Sequence, residues 1–293
     1  MTNSEIREYV EKRKVILPDG TKVSALGQGT WFMGEHSNKR EEEIKSLRLG
    51  VELGMNLIDT AEMYGDGLSE EVVAKVIEDC RKDVFLVSKV YPHNAGGNSI
   101  IRACENSLRR LKTDYLDLYL LHWRGGIPLE ETIEGMELLK KQGKILRWGV
   151  SNFDKDDMEE LYHKSNGENC AVNEVLYHLG SRGIEFDLLP WQRKNNIPTI
   201  AYCPLAQGGS LNRSLLRDET LQEIAKEHNA TSLQIALAWT IHNNDIISIP
   251  KASSEKHVIL NAKATSVNLT FEDMQRLDGT FKKPSRKVPL DIV

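Results

Sequence analysis

The chain has 293 residues, of which 40% are hydrophobic and 28% are charged, and its formal net charge is -5 at pH 7. This composition is typical of a globular protein with a sizeable core, and it excludes the clustered positive charge of a nucleic-acid-binding surface. No apolar run approaches the ~18 residues of a membrane span, and residues 1–14 lack the apolar core of a signal peptide. We therefore expect a cytoplasmic protein with neither a nucleic acid nor a membrane as partner.

Short apolar runs alternate with amphipathic segments along the chain, as strands and helices do when they follow one another. Most runs are continuous rather than alternating, which indicates strands that are covered on both faces. The predicted strands are residues 23–26, 56–59, 84–89, 116–122, 146–150, 171–176, 198–202 and 246–249. The predicted helices are residues 40–53, 69–77, 100–111, 129–142, 154–162, 188–194, 221–227, 232–242 and 254–263.

Eight strands, each followed by a helix, predict an α/β fold of the (β/α)8 TIM-barrel type. The alternative, a doubly wound open sheet, usually carries Gly-x-Gly-x-x-Gly after its first strand, and the spacing of Gly27, Gly29 and Gly34 differs from that pattern. We expect a single domain over residues 1–293. The turn at residues 18–20 predicts a short N-terminal hairpin, residues 270–279 an extra helix, and residues 282–293 an extended tail.

Three successive predicted strands each end in a titratable residue, namely Asp59, Lys89 and His122, and Tyr64 follows in the loop after Asp59. Active sites of such barrels lie at the C-terminal strand ends, and neighbouring strands are only about 4.8 Å apart. A lysine ammonium beside a phenol lowers the pKa of the phenol, Asp59 would keep Lys89 charged, and His122 could hold the substrate oxygen. The set predicts a carbonyl reductase in which Tyr64 is the proton donor.

Each of these residues also has a purely structural interpretation when it is considered alone. Asp59 could cap a turn, Tyr64 could lie in the core or on the surface, and His122 could be a core histidine. Lys89 is harder to explain in this way, because a buried ammonium needs a partner. The ordered set at three strand ends therefore favours the catalytic interpretation.

The sequence also resembles the aldo-keto reductase superfamily, in particular its bacterial and archaeal type, from about Gly27 to Asn261. The matching blocks are Gly29-Thr-Trp31, Ile58-Asp-Thr-Ala-Glu-Met-Tyr64-Gly, Leu86-Val-Ser-Lys89, Leu120-Leu-His-Trp123, Gly149-Val-Ser-Asn152-Phe, Ala201-Tyr-Cys-Pro-Leu205 and Ile249-Pro-Lys251. The resemblance implies reduction of aldehydes or ketones with NADPH, or NADH as an alternative. It places the family's catalytic tetrad on Asp59, Tyr64, Lys89 and His122. No metal site is apparent in the sequence, and none is needed if Tyr64 supplies the proton.

The resemblance further implies a set of cofactor-binding residues. Those near the nicotinamide and the pyrophosphate are Thr30, Trp31, Ser151, Asn152, Glu174, Tyr202, Leu205 and Gln207. Ser151 and Asn152 would hold the carboxamide and Tyr202 would stack on the ring. Those at the adenosine end are Lys251, Ser253, His257 and Asn261, where a helix N-terminus suits the 2′-phosphate.

Two residues depart from the family pattern. His257 stands where many NADPH-preferring relatives have arginine, and histidine lacks the bidentate fork of a guanidinium. We expect NADPH to gain on NADH as the pH falls through the range in which histidine titrates, and a flat profile would contradict this. Glu174 stands where glutamine is usual. If it is ionised, its charge favours the oxidised cofactor over the reduced one. A relative affinity for NADP+ and NADPH that is unchanged in a Glu174→Gln variant would refute that hypothesis.

The four cysteines, Cys80, Cys104, Cys170 and Cys203, lack metal-ligand spacing and are predicted to be free thiols. Residues 123–129, residues 206–217 and the C-terminal tail are expected to shape an open pocket for small aldehydes and 2-oxoaldehydes. Two alternatives stay open, which are an NADP-linked sugar or polyol dehydrogenase and a cofactor-binding regulatory subunit with little turnover. A monomer is the default oligomeric state.

Overall fold

The structure, a computed structural model, describes residues 1–207 and 214–293. Its centre is an eight-stranded parallel sheet in which strands β3 to β10 follow one another in chain order. These strands are β3 (Gln28–Gly29), β4 (Leu57–Asp59), β5 (Phe85–Val90), β6 (Leu118–Leu121), β7 (Trp148–Ser151), β8 (Asn173–Leu176), β9 (Thr199–Tyr202) and β10 (Ile246–Ser248). Parallel bridges from Leu26 to Ser248 and from Gly29 to Lys251 join the two ends of the sheet. The predicted barrel is confirmed.

Helices surround the barrel because amphipathic segments follow its strands. They include α2 (Arg40–Glu52), α3 (Leu68–Ile77), α4 (Gly97–Leu111), α5 (Leu129–Lys141), α6 (Lys155–Tyr162), α7 (Leu188–Lys194), α8 (Glu219–Glu227), α9 (Ser232–Thr240), α10 (Glu255–Lys263) and the extra C-terminal helix α11 (Phe271–Thr280); α1 is described below. Reciprocal capping boxes start α6 at Asp154, α9 at Thr231 and α11 at Thr270. Within residues 1–207 and 214–293, no helix has the length and apolarity that crossing a membrane requires.

The prediction of a barrel strand at residues 23–26 is wrong for residues 23 and 24, whereas Leu26 does bridge to Ser248 of β10. Strand β2 (Lys22–Ser24) instead pairs antiparallel with β1 (Lys14–Ile16) in the N-terminal hairpin, and the first barrel strand is β3. The hydrophobic pattern of the sequence could not reveal β3, because this strand consists of a glutamine and a glycine.

Tertiary contacts hold β3 in place of an apolar pattern. The Gln28 amide donates to the backbone oxygens of Leu47 at 3.1 Å and Met55 at 3.0 Å, at the C-terminal end of α2. The close approach requires glycine at position 50, since a Cβ there would lie 1.9 Å from Gln28 Oε1. This buried hydrogen bonding aligns β3 with β4.

The N-terminal segment closes one end of the barrel. Residues before the hairpin form helix α1 (Asn3–Lys12), which was not predicted and which buries Ile6 and Val10. Val15 and Val23 of the hairpin belong to the same apolar cluster as Phe85 at the start of β5. The N-terminal strand ends are thus covered, and the C-terminal ends form the opposite face.

Candidate active site

The four predicted catalytic side chains meet at the C-terminal end of the barrel. Asp59 ends β4, Lys89 lies near the end of β5, His122 follows β6, and Tyr64 starts a turn after β4. Lys89 Nζ donates to Asp59 Oδ1 at 2.5 Å and to the Tyr64 hydroxyl at 3.1 Å. The Tyr64 and His122 ring centroids are 5.8 Å apart. The strand order therefore brings the predicted set together as expected.

Lys89 is fully buried, so its charge depends on nearby anionic and carbonyl oxygens. Besides Asp59 and Tyr64, Nζ donates to the Thr60 backbone oxygen at 3.1 Å and lies 3.3 Å from Glu174 Oε1. Burial acts to lower the pKa of Lys89, but Asp59 and then Glu174 outweigh it and hold the pKa above its ordinary value. Lys89 is therefore an ammonium at neutral pH.

Glu174 lies inside the catalytic cluster, a contact that sequence analysis did not predict. It is in β8, is 2% exposed and reaches Lys89 across the barrel. Burial, followed by the charge of Asp59, raises the pKa of Glu174 to about 8, and burial also raises the pKa of Asp59. Because Asp59 makes the shorter contact with Lys89, we assign the negative charge to Asp59 and a proton to Glu174 at neutral pH.

Burial sets the protonation of Tyr64 and His122. Desolvation by burial raises the pKa of Tyr64 above its ordinary value in the free protein, and it outweighs Lys89, which acts to lower that pKa as expected. Burial, followed by Lys89, lowers the pKa of His122 to about 2. Its imidazole is thus neutral, and Nδ1 has no hydrogen-bond partner within the described chain. A protonated phenol and a neutral imidazole can both bind a carbonyl oxygen.

Ser151, Asn152 and Tyr202 form a hydrogen-bonded group beside the tetrad. The Asn152 amide donates to the His122 backbone oxygen at 3.1 Å and to Ser151 Oγ at 3.2 Å. The Tyr202 hydroxyl donates to Asn152 Oδ1 at 2.7 Å. Asn152 has a φ of 58°, a conformation that is uncommon outside glycine and clusters at functional sites. Its amide group is therefore fixed before any ligand binds.

Thr30 acts on the backbone of Asp59. Its hydroxyl donates to the Asp59 backbone oxygen at 2.8 Å and accepts from Ser69 Oγ at 2.7 Å. The side chain is completely buried. The sequence predicts that Thr30 lies near the nicotinamide. In the structure, its hydroxyl group is bonded to the backbone of Asp59 and so stabilises the main chain at that catalytic residue.

Aromatic side chains line the mouth next to Tyr64. Trp31 lies 6.4 Å from Tyr64 between ring centroids and stacks on Phe32 at 4.4 Å. Phe32 is 50% exposed and has a φ of 64°. Tyr91 packs edge-on against Trp123 at 5.9 Å. Sequence analysis missed Phe32 and Tyr91, because no local pattern marks a positive φ or an aromatic contact between two loops.

The predicted adenosine end lies at the start of α10. Ser254, its N-cap residue, makes no side-chain capping hydrogen bond with any described residue, and Ser253 is half-buried beside it. Asn261 is 3% exposed, and its Oδ1 has no donor in residues 1–207 or 214–293. Lys251 and His257 are exposed. A helix N-terminus suits a phosphate, and a buried amide oxygen needs a donor, so this end fits an adenine nucleotide.

The loop after β9 is described only in part. Leu205 packs against the core, and Gln207 is exposed with a φ of 51°. The predicted pocket segment 206–217 includes residues 208–213, which lie outside the described residues.

The C-terminal tail crosses the loops after β7 and β8. Lys287 Nζ lies 3.3 Å from Asp154 and 3.2 Å from Asp156, and the Val293 backbone lies beside the Tyr202 hydroxyl. The tail therefore borders the site, as expected.

The described residues contain free thiols and no cluster of metal ligands. All four cysteines are free. In the part of the chain that the structure describes, no group of three or more His, Cys, Asp or Glu residues could hold a metal ion.

A family model described as "Aldo/keto reductase family" matches residues 25–281. The chain belongs to the aldo/keto reductase family. It is 51% identical to methylglyoxal reductase YeaE of Escherichia coli (strain K12) over 284 residues, which cover 97% of this chain and 100% of that protein. It is 35% identical to glyoxal reductase of Bacillus subtilis (strain 168) over 277 residues, which cover 92% of this chain and 94% of that protein.

Solved structures agree with this assignment. An aldo/keto reductase from Klebsiella pneumoniae in complex with NADP and acetate superposes with a TM-score of 0.94. It is 51% identical, and the match covers 96% of this chain and 99% of that chain. The predicted family and barrel are confirmed, and the chain is an oxidoreductase of the aldo-keto reductase class.

Proposed function

We propose that this protein reduces small aldehydes and 2-oxoaldehydes, methylglyoxal among them, with Tyr64 as the general acid. The chain is an NADP-dependent aldo-keto reductase that reduces aldehydes with NADPH. The assignment of Tyr64 as the general acid rests on one observation, which is that a single buried ammonium, Lys89, contacts both Asp59 and Tyr64. The substrate class is supported by the names of relatives at 51% and 35% identity.

The cofactor would lie across the C-terminal strand ends. Support at the nicotinamide end comes from the fixed Asn152 amide, with Ser151 and Tyr202 beside it. Support at the adenosine end comes from Asn261 Oδ1, which has no donor among the described residues, and from the N-cap Ser254 of α10, whose side chain caps none of them. The residues assigned to it in this proposal are Thr30, Trp31, Ser151, Asn152, Glu174, Tyr202, Leu205, Gln207, Lys251, Ser253, His257 and Asn261.

When bound, the reduced nicotinamide supplies the hydride that the carbonyl carbon accepts. Neutral His122 orients the carbonyl oxygen, since an imidazole N–H can donate to it. Tyr64 keeps its proton in the buried site and gives it to the oxygen as alkoxide character develops, because an alkoxide is a stronger base than a phenolate. Lys89 stabilises the phenolate left behind, and Asp59 holds Lys89 in position.

The aromatic mouth supports a small, flat substrate. Trp31 and Phe32 form one side of it, and Trp123 with Tyr91 lies near His122. Such walls bury apolar surface without binding a specific polar group, so broad specificity is expected. The alternatives of an oxidative dehydrogenase and a regulatory subunit are not favoured, since the relatives named above are reductases.

The proposal also includes a single barrel domain over residues 1–293, a monomeric state and a cytoplasmic location. The continuous alternation of strands and helices supports the single domain. Free cysteines are typical of a reducing compartment.

A substrate panel tests the proposed direction and substrate class. Loss of NADPH absorbance is measured with methylglyoxal, glyoxal and an aromatic aldehyde, and formation of NADPH from NADP+ is measured with sugars and polyols. We expect the highest kcat/KM for the 2-oxoaldehydes. A higher kcat/KM for oxidation of a sugar or polyol would contradict the proposal.

A further inference from the structure

The catalytic ammonium has two carboxyl partners, one more than its charge requires. Lys89 Nζ lies 2.5 Å from Asp59 and 3.3 Å from Glu174, and all three side chains are at most 2% exposed. The two carboxyl groups also contact each other. The titratable groups that act on Glu174 come from β4, β5, the turn after β4, and β9 with its loop, and they are Asp59, Lys89, Tyr64, Tyr202 and Cys203.

One of the two carboxyl groups must carry a proton. Two adjacent carboxylates in a buried site cannot both ionise when a single cation faces them. Glu174 makes the longer contact with Lys89, and no donor in the described ranges reaches its Oε2. An ionised Glu174 would leave that oxygen buried without a donor, whereas a protonated one can donate to Asp59. The stored proton therefore belongs to Glu174.

We propose that Glu174 stores the proton that reloads Tyr64 in each turnover and delivers it through Lys89. The two steps of this path span 3.3 Å from Glu174 to Lys89 and 3.1 Å from Lys89 to Tyr64. A glutamine, the usual residue at this position in relatives that the sequence resembles, has no proton to give. The inference rests on the proposed role of Tyr64 as general acid.

Each reduction consumes one proton, which passes from Glu174 to the product oxygen in three transfers. The carbonyl carbon gains a hydride, its oxygen takes the Tyr64 proton, and the phenol O–H bond breaks. Lys89 gives one proton to the phenolate and takes one from Glu174, so the phenol and the ammonium are restored. Glu174 ends as a carboxylate, and its new negative charge offsets the positive charge that the cofactor gains on oxidation. When oxidised cofactor leaves, Glu174 takes a proton from water.

Proton release on cofactor binding tests this inference without turnover. NADP+ and NADPH are titrated into the protein by calorimetry at pH 7, in two buffers that differ in ionisation enthalpy, which yields the protons released. Both cofactors carry the 2′-phosphate, so its protons cancel in the difference. Because the pKa of Glu174 is about 8, we expect NADP+ to release up to about one proton more than NADPH, and the difference to vanish above pH 9.

Two variants separate Glu174 from other groups. Glu174→Gln should abolish the difference in proton release at pH 7 while both cofactors still bind. Glu43→Gln is the matched control, because Glu43 is also 2% exposed and its carboxylate accepts from the Gly34 backbone. This control should release the same excess proton as the wild type. An excess that persists in Glu174→Gln would overturn the proposal.

The wild type alone can also refute the inference if Glu174→Gln fails to fold. Equal proton release for NADP+ and NADPH between pH 6 and pH 8 would overturn it. Turnover of Tyr64→Phe, measured in parallel, separates the two proposals. If Tyr64→Phe loses turnover and the wild type releases equal numbers of protons with NADP+ and NADPH, only the proposed role of Glu174 is refuted. If Tyr64→Phe keeps full turnover, the proposed role of Tyr64 is refuted.

Discussion

Replacing Lys89 with methionine would remove the buried ammonium and keep a side chain of similar length. Asp59 and Glu174, at 2.5 and 3.3 Å from Nζ, would lose their shared cation. Removing one partner of a buried ion pair costs about 3–5 kcal/mol, because the remaining charge has no compensation. We expect the free energy of unfolding to fall by about that amount at pH 8.

The loss should be smaller in acid. Lys89 lowers the pKa of both Asp59 and Glu174, so without it both carboxyl groups stay protonated to higher pH. When the pKa of a carboxyl group is higher in the folded state than in the unfolded state, the free energy of unfolding of the protein falls as the pH rises from the unfolded pKa to the folded pKa. For Glu174 this window runs from 4.5 to about 8 in the wild type, and it extends further upward in the variant. The difference between the two proteins is therefore smallest near pH 5 and largest above pH 8.

Urea unfolding followed by circular dichroism at pH 5 and pH 8 measures both differences. Lys75→Met is the matched control, because Lys75 is 51% exposed and lies 3.5 Å from Glu78. Exposed pairs contribute about 0–1 kcal/mol, so this control should change little at either pH. If Lys89→Met lost the same free energy of unfolding at both pH values, the charge of the carboxyl pair would not be the cause, and the reasoning would be refuted.

Three further predictions concern the cofactor. Lys251→Ala should weaken NADPH binding more than NADH binding, since Lys251 is an exposed cation at the predicted adenosine end, where the 2′-phosphate of NADPH would lie; an unchanged ratio of Kd values would contradict this. Asn261→Leu should keep or raise Tm yet weaken NADPH binding, because Oδ1 has no donor among the described residues; a lower Tm would contradict it. Tyr202→Phe removes the 2.7 Å bond to Asn152 and should cost about 1 kcal/mol of NADPH affinity, which fluorescence titration checks.

The strand ends could be predicted because they combine two local signals. An apolar run that stops at a titratable residue marks both a buried strand and the point where it leaves the barrel. Asp59, Lys89 and His122 are found in this way, and Tyr64 follows because the loop after β4 is short. Strand β3 carries neither signal, since Gln28 is held by contacts with residues 47 and 55.

The contact of Glu174 with Lys89 could not be predicted from local sequence. The two residues lie on β8 and β5, so they approach each other only across the interior of the closed barrel. Substitution of glutamine by glutamate marks the position as unusual but does not reveal its partner. The effect of burial on the pKa of Tyr64 could not be predicted for the same reason, because desolvation depends on all the residues that pack around the phenol.

The mechanism depends on the assignment of Tyr64 as the proton donor in aldehyde reduction. It is tested most directly by NADPH oxidation with methylglyoxal, comparing the wild type with Tyr64→Phe at equal NADPH occupancy. General acid catalysis contributes about 10²–10⁴-fold, so we predict that kcat falls by that factor while the Kd for NADPH changes little. A kcat for Tyr64→Phe within a few-fold of the wild type would contradict the account.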